Sequence, residues 1–214
     1  MQLFLDTAHI AEIEEAITWG IIDGVTTNPS HVAKTGMKST ELYKTIVSMV
    51  DGPVSLETIS LTAPEIIDEA MELVTYGDNV IIKVPVMKEG LIAVKELSRR
   101  GVKTNVTVNY SPLQALLAAK VGATYISPFV GRLDYVGHQG MDLVEQIRTI
   151  YDNYGYETQI IVAAVRHPLH ILDSALIGAD VATASFDVMK MLYDHPLTDL
   201  GIQQFLDAWK QVPK

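Results

Sequence analysis

The chain has 214 residues, 48% of them hydrophobic, and a formal net charge of -10. This hydrophobic content is sufficient for a sizeable core within one domain. The acidic balance argues against nucleic acid or an anionic membrane surface as the main partner, so any phosphate-binding site has to be local.

The first residues lack the signals of export and membrane insertion. MQLFLDTAHIAEIEE has no basic start, no long apolar segment and no small-residue cleavage site, and no later stretch approaches the ~20 apolar residues of a membrane span. We therefore expect a cytoplasmic protein. The absence of cysteine excludes disulfides and thiolate metal sites.

Strand-like runs alternate with helical patterns along the whole chain. The first strand is QLFLD, and the helix after it carries Ile10, Ile13 and Ile17 at helical spacing. Seven further units begin with the strands GVTTN, VSLETIS, VIIKVPV, TNVTVNY, TYISPFV, QIIVAAV and VATAS. About eight such units predict one (β/α)8 barrel, a TIM barrel, spanning residues 1–214. An additional C-terminal helix is expected around Gln203 to Trp209, outside the ring.

The loop after the first strand bears on cofactor binding. It reads DTAHIAE, without glycine, and neither GxGxxG nor GxxxxGK occurs anywhere in the chain. A doubly wound nucleotide-binding sheet would carry such a loop at this point. We therefore expect no cofactor.

Lys83 is an unusual residue within the strand NVIIKVPV. Its neighbours are apolar and mostly β-branched, as in a strand covered on both faces, where an ammonium group loses its hydration. Burial disfavours the charged form and leaves more of the neutral amine, which attacks carbonyls. Lys83 is therefore a candidate Schiff-base lysine. The alternatives are that this strand lies at a sheet edge or that the lysine reaches solvent along its alkyl stem.

Polar residues recur where the other predicted strands end, which is where TIM barrels carry out their chemistry. They are Asp6, Asn28, Glu57, Asn105, Thr107, Ser127 and Arg166. Asp6 could instead cap the next helix, and Glu57 could point either into the barrel or towards the helices. A buried Glu57 beside Lys83 would supply the acid/base partner that a Schiff base needs.

Two arginines and two histidines follow strands six and seven. Arg132 and Arg166 lie close to where such barrels commonly hold phosphate, although each could be a solvated loop arginine. His167 and His170 could suggest a metal. However, no carboxylate or third histidine stands nearby at ligand spacing, and Pro168 is expected to splay the two rings, so we predict no metal site.

Several motifs together carry a family resemblance. LDTA, GVTTNP, KVP, QALLAAKVGATYISPFVGRLD and HPLTDLGIQQFL follow in that order, from the N-terminus to the DAWK segment. The chain resembles the small transaldolases, close to the fructose-6-phosphate aldolases. The resemblance implies phosphorylated sugar substrates, a place in the pentose phosphate pathway, and a homo-oligomer built from rings of five that can pair into decamers.

The resemblance also assigns roles to the residues already noted. Lys83 would form the Schiff base, Asp6 and Glu57 would transfer protons, and Thr107 would help to hold a catalytic water. The remaining residues would bind substrate: Asn28, Asn105 and Ser127 the hydroxyls of a dihydroxyacetone unit, and Arg132 and Arg166 the phosphate. The implied reaction transfers dihydroxyacetone from sedoheptulose 7-phosphate or fructose 6-phosphate to an aldose phosphate.

Two positions separate the branches of this family. The aldolases typically have glutamine in place of Glu57 and tyrosine in place of Phe129, so both residues favour transaldolase. Three places depart from the usual pattern: Ala164 replaces a phosphate-binding serine, Asn109 and Tyr110 replace a more apolar pair, and Ala184 with Ser185 occupies a segment where proline is frequent. An aldolase and a non-catalytic sugar-phosphate-binding barrel are the alternatives.

Overall fold

Eight parallel strands close into a barrel in the computed structural model, which describes residues 1–213. Each strand pairs with its neighbours in the sequence, and β1 pairs with β8 to close the ring. The strands are β1 Gln2–Asp6, β2 Gly24–Thr26, β3 Val54–Glu57, β4 Val80–Pro85, β5 Thr104–Asn109, β6 Tyr125–Pro128, β7 Gln159–Val162 and β8 Val181–Ala184. The predicted (β/α)8 architecture is confirmed.

Helices connect the strands and surround the barrel. They are α1 Ile10–Thr18, α2 Pro29–Thr35, α3 Ser39–Met49, α4 Ala63–Leu73, α5 Lys88–Arg99, α6 Pro112–Lys120, α7 Val130–Tyr135, α8 Gly140–Tyr154, α9 Pro168–Ile177, α10 Phe186–Lys190 and α11 Pro196–Trp209, with a 3₁₀ turn at Val74–Tyr76. The short helices α2 and α7 were not predicted. Both follow directly after a strand and lie beside the candidate site described below.

The strands separate two hydrophobic clusters. Outward-facing side chains such as Leu56 and Ile82 pack against the helices in the larger cluster. Inside the barrel, five residues form a separate apolar floor: Phe4, Ile81, Tyr125, Ile161 and Val181. Because side chains alternate along a strand, the residue two positions later points to the same interior, nearer the C-terminal end. Asp6, Lys83 and Ser127 occupy that position after Phe4, Ile81 and Tyr125.

Several element boundaries differ from the prediction. Strands β3 and β7 end at Glu57 and Val162, earlier than expected, because the chain there leaves the sheet for the loops that carry polar residues. Helix α11 begins at Pro196 rather than near Gln203. The His195 ring accepts the backbone N–H of Leu197 at 3.2 Å, and proline is well suited to the first helical position.

None of the helices within residues 1–213 combines the length and the apolar composition that crossing a membrane requires.

Candidate active site

Lys83 and Glu57 form a buried ion pair inside the barrel. Lys83 is only 4% exposed, and its Nζ lies 2.8 Å from Oε2 of Glu57 and 3.1 Å from the carbonyl oxygen of Thr27, to which it donates. The pairing register of β3 and β4 places the two residues directly opposite each other. Because β4 pairs on both sides, Lys83 is not on an edge strand, and Glu57 points into the barrel.

A hydrogen-bonded set of neutral side chains adjoins this ion pair. Asn105, which is paired with Lys83 in the sheet, is fully buried. Its Nδ2 donates to Oγ of Ser55 at 3.3 Å, and its Oδ1 accepts from Oγ of Ser127 at 2.7 Å. The three side chains come from β3, β5 and β6, so the network fixes polar groups on three strands around the lysine.

Asp6 contacts polar side chains on the other side of the barrel. Its Oδ1 accepts the hydroxyl of Thr26 at 2.8 Å, and that hydroxyl lies 2.6 Å from the hydroxyl of Thr183. Oδ1 is also 3.8 Å from Nδ1 of His31. The N-cap of α1 is His9, so the alternative that Asp6 caps this helix is wrong.

Asn28 has a structural contact as well as a place in the site. It is the N-cap of α2, where its Oδ1 accepts the backbone N–H of His31 at 3.0 Å and its Nδ2 lies 3.1 Å from Nδ1 of the same residue. The cap fixes the side chain at the cavity wall.

Thr107 lies on the same interior face of β5 as Asn105, two residues further along the strand. It is fully buried, and its hydroxyl has no hydrogen-bond partner among the described protein atoms. A buried hydroxyl without a partner is costly, so this oxygen is suited to bind a water or a substrate group.

A cavity of about 420 Å³ opens at the C-terminal end of the barrel. Eight of the ten predicted site residues line it, namely Asp6, Asn28, Glu57, Lys83, Ser127, Phe129, Arg132 and Arg166. Asn105 and Thr107, both fully buried, are not among its lining residues. Through its bond to Ser127, Asn105 nevertheless supports the wall of the cavity.

The two arginines approach the cavity from neighbouring segments. Arg132 lies on α7, Arg166 lies in the loop before α9, and both are exposed. Within residues 1–213, neither guanidinium group takes part in an ion pair, so both are free to bind an anion.

Several residues of the cavity were missed by the sequence analysis. Ser30, His31 and Lys34 lie on α2, and Thr183 lies on β8. The TTNPS motif contains the signal for α2, because Asn28 is a favourable N-cap and Pro29 a favourable first helical residue. Thr183 follows Val181 of the apolar floor by two residues, but this is visible only once that floor is known.

The predicted arrangement of the two histidines was wrong. Pro168 does not splay His167 and His170, whose ring centroids are 3.8 Å apart. A carboxylate is also present, because Nε2 of His170 lies 2.8 Å from Oδ2 of Asp134 on α7. His170 contacts the Arg166 backbone on its other side, where its Nδ1 accepts the N–H at 3.2 Å.

Glu57 separates the main cavity from a second one of about 350 Å³, between the ends of α2, α3 and α4. Tyr43 and Glu69 line this second cavity too. Burial raises the pKa of Tyr43, and the nearby charges of Glu57 and Glu69 raise it further. Because Glu57 lines both cavities, its carboxylate is accessible from two sides, which suits a group that exchanges protons.

Comparisons with known proteins place the chain in a known family. The family model described as transaldolase/fructose-6-phosphate aldolase matches residues 3–214. A probable transaldolase of Dictyoglomus turgidum is 57% identical over 214 residues, covering all of both chains. Probable transaldolases of Aquifex aeolicus and Geotalea daltonii are each 56% identical, covering all of this chain and 99% and 100% of theirs, respectively.

Proposed function

The chain belongs to the transaldolase/fructose-6-phosphate aldolase family, and from this membership we propose that it is a transaldolase that acts through a Schiff base on Lys83. The observation that carries the proposal is the buried pair of Lys83 and Glu57, 2.8 Å apart, in the wall of a cavity of about 420 Å³. A lysine, a proton acceptor beside it and two free arginines are the groups that imine chemistry on a sugar phosphate requires.

Glu57 has a role in each proton movement at the lysine. As an ion pair, the two groups hold the proton on the nitrogen, so the amine becomes a nucleophile when Glu57 takes that proton. The amine then attacks the ketose carbonyl and passes one of its own two protons to the carbonyl oxygen. Glu57 returns the proton that it took to the same oxygen, which leaves as water. The positive iminium that results lies beside the Glu57 carboxylate, which stabilises it.

Asp6 and Thr107 support the later steps. Asp6 lies on β1, in the wall of the same cavity, and its carboxylate is positioned by the hydroxyl of Thr26. We assign it the role of accepting the proton of the donor hydroxyl when the carbon–carbon bond breaks. Thr107 would hold the water that exchanges protons with Glu57, consistent with its unpartnered hydroxyl.

The substrate contacts are assigned from the family resemblance, and all of the assigned residues except Asn105 line the cavity. Asn28, Asn105 and Ser127 would bind the hydroxyls of the dihydroxyacetone unit, and Arg132 with Arg166 would bind the phosphate of fructose 6-phosphate or sedoheptulose 7-phosphate. Ala164 lines the cavity next to Arg166 without offering a hydroxyl. One missing neutral hydrogen bond costs about 0.5–1.5 kcal/mol, so the affinity for phosphate is reduced without being abolished.

The transferase reaction is favoured over the aldolase reaction by Phe129. Its ring lines the cavity and has no hydroxyl with which to protonate the bound intermediate. The phenol of Tyr110 stacks edge-on against Phe129 at 5.9 Å between centroids, but Tyr110 is not among the lining residues. The covalent dihydroxyacetone adduct would therefore persist until an aldose phosphate accepts it, in the pentose phosphate pathway of the cytoplasm.

Imine trapping tests the proposal. Borohydride treatment in the presence of fructose 6-phosphate is expected to leave a reduced adduct on the peptide that contains Lys83, and a Lys83→Met variant provides the control. An adduct on Lys88 or Lys95 would identify a different lysine. The absence of any adduct would favour a non-catalytic sugar-phosphate-binding barrel.

A paired rate measurement separates transaldolase from aldolase. Release of glyceraldehyde 3-phosphate from fructose 6-phosphate is followed with and without erythrose 4-phosphate as acceptor. We expect turnover only when the acceptor is present. Equal rates under both conditions would favour a fructose-6-phosphate aldolase.

A further inference from the structure

His170 connects the two segments that carry the phosphate-binding arginines. The ring is buried in the first turn of α9. Its Nδ1 accepts the backbone N–H of Arg166 at 3.2 Å, and its Nε2 lies 2.8 Å from Oδ2 of Asp134, two residues after Arg132 on α7. A ring nitrogen that accepts a hydrogen bond carries no proton, so this ring is neutral and donates from Nε2.

The same two segments also pack closely through their backbones. The N–H of Val130 donates to the carbonyl of Ala163 at 3.1 Å. Gly131 allows α7 to approach further, because a Cβ at this position would lie 2.3 Å from the carbonyl oxygen of Ala164 and 2.6 Å from Cγ of Arg166. Asp134 is itself anchored, since its Oδ1 accepts the N–H of Gly140 at 2.8 Å. His170 therefore completes a compact unit rather than bridging a loose gap.

We propose that His170 is a positioning residue of the phosphate site, whose neutral ring fixes the Arg166 backbone relative to α7 and so sets the spacing of Arg166 and Arg132. The inference rests on the proposed function, because it assumes that these arginines bind the phosphate of the sugar. His170 does not line the cavity and acts through Arg166 and Asp134.

Protonation of the ring disrupts this arrangement. A proton on Nδ1 would face the N–H of Arg166, so two donors would oppose each other and the amide would lose its acceptor. Burial lowers the pKa of His170 below its usual 6.5, and the adjacent His167 lowers it further, whereas Asp134 and Asp173 act in the opposite direction. The neutral ring is therefore present at pH 6.5 and above, and its contact is lost only as the pH falls through the lowered pKa of His170.

Two substitutions separate the two contacts of the ring. In His170→Asn the amide oxygen takes the place of Nδ1 and can still accept from Arg166, whereas in His170→Gln the amide reaches Asp134 but leaves the Arg166 N–H unpaired. We expect KM for fructose 6-phosphate to remain near that of the unmodified protein in His170→Asn. It should rise roughly tenfold in His170→Gln, with kcat little changed.

A matched control is available in α11. His195, which immediately precedes α11, likewise accepts a backbone N–H through Nδ1 at 3.2 Å, but it does not line the cavity. His195→Asn makes the same chemical change at that site and should leave KM unchanged. Circular dichroism of each variant establishes that it is folded before KM is compared.

The pH dependence tests positioning more directly than the substitutions. We expect the ratio of KM for the unmodified protein to KM for His170→Asn to rise as the pH is lowered from 8 to about 5.5. Taking the ratio removes the titration of the substrate phosphate, whose second pKa is about 6 and which affects both proteins equally. Asp134→Asn removes a charge that favours the protonated ring, so it should move this rise to lower pH. This pH experiment does not use His170→Gln, so its outcome does not depend on that variant being folded.

The choice of substrate separates this inference from the proposed function. Imine trapping with dihydroxyacetone, which has no phosphate, should be unaffected by His170→Gln, while trapping with fructose 6-phosphate should need a higher concentration. Equal effects on both substrates, or a flat KM ratio across the pH range, would overturn the positioning role. Failure of the unmodified protein to trap either substrate would instead contradict the proposed function.

Discussion

At the scale of single residues, the buried ion pair is the most sensitive contact in the site. Lys83 and Glu57 are both largely removed from water, and Glu57 is held opposite the lysine by the register of β3 and β4. Removing one partner of such a pair leaves an uncompensated buried charge and costs about 3–5 kcal/mol. Substitutions at Glu57 therefore change both stability and chemistry, and the two effects have to be separated.

The substitution Glu57→Gln separates the effect on stability from the effect on chemistry. The amide oxygen can still accept a hydrogen bond from Lys83, so the free energy of unfolding should fall by less than in Glu57→Leu, which leaves the ammonium without a side-chain partner. Because an amide takes up no proton, kcat should fall by about 10²- to 10⁴-fold. Denaturant unfolding and steady-state kinetics measure the two quantities. Full activity in Glu57→Gln would show that another group moves the proton.

Thr107→Val should lower activity with little change in stability. The hydroxyl is buried without a protein partner, so its removal breaks no hydrogen bond within the protein. Valine has nearly the same shape, so the free energy of unfolding is expected to change by less than about 1 kcal/mol. If Thr107 holds the catalytic water, kcat should fall at the same time. Thr107→Ser, which keeps the hydroxyl, serves as the control, and a Thr107→Val variant with unchanged kcat would remove this role.

Phe129→Tyr should shift the protein towards the aldolase reaction. The substitution adds a hydroxyl to a ring that lines the cavity and gives the bound dihydroxyacetone intermediate a proton donor. We expect more free dihydroxyacetone and less transfer to erythrose 4-phosphate. The ratio of the two products measures the effect, and Tyr110→Phe is a control outside the cavity lining. An unchanged ratio would mean that residue 129 does not decide between the reactions.

At the scale of elements, the cavity wall contains two residues with left-handed backbone. Val108 has φ 59° and Ala164 has φ 55°, and both line the cavity. The register of β5 and β6 shifts between Val106 and Asn109, so Val108 belongs to a β-bulge. A β-branched residue is strained in this conformation, and such strain is typical of functional sites.

The bulge predicts that glycine is more stabilising than alanine at position 108, which reverses their order at an ordinary strand position. At an ordinary strand position, alanine is more stabilising than glycine by about 0.5–1 kcal/mol. At Val108 the left-handed conformation penalises alanine by about 1–2 kcal/mol, so Val108→Gly should be more stable than Val108→Ala. Denaturant unfolding measures the free energy of unfolding of Val108→Gly and Val108→Ala. The matched pair at an ordinary strand position is Gln159→Gly and Gln159→Ala, at an exposed residue of β7. The same order at both positions would mean that residue 108 is not strained in solution.

The sequence predicted the elements better than it predicted their contacts. Alternating strand and helix patterns indicated the barrel, and the polar strand ends indicated most of the cavity wall. The orientation of Glu57 could not be read from VSLETIS, because it depends on the register with β4. Helix α7 is only six residues long, too short for a helical period to stand out. The contact between Asp134 and His170 joins residues that are distant in the sequence.

At the scale of the whole molecule, helix α11 has no buried residue. Six large apolar side chains on it are 52–77% exposed: Leu197, Leu200, Ile202, Phe205, Leu206 and Trp209. An apolar surface of this kind usually marks an interaction site. Since the resemblance implies a homo-oligomer, we propose that α11 packs against another copy of this chain. A helix that docks on a different surface of its neighbour forms a heterologous contact, and such contacts close into a ring when the rotation between neighbours is a whole fraction of a turn.

Phe205→Glu tests this assembly. A charge placed in an apolar contact loses its hydration without gaining a partner, so the ring should dissociate. Light scattering should give five or ten times the 23.5 kDa chain mass for the unmodified protein and a lower mass for the variant. Gln204→Glu introduces a negative charge at an exposed polar position of the same helix, and its mass should equal that of the unmodified protein. If Phe205→Glu breaks an interface made by α11, this variant should also unfold at a lower temperature than the unmodified protein, because association stabilises the folded chain. A monomer in the unmodified protein would contradict the oligomer, whereas an intact ring in Phe205→Glu would place the interface elsewhere on the barrel.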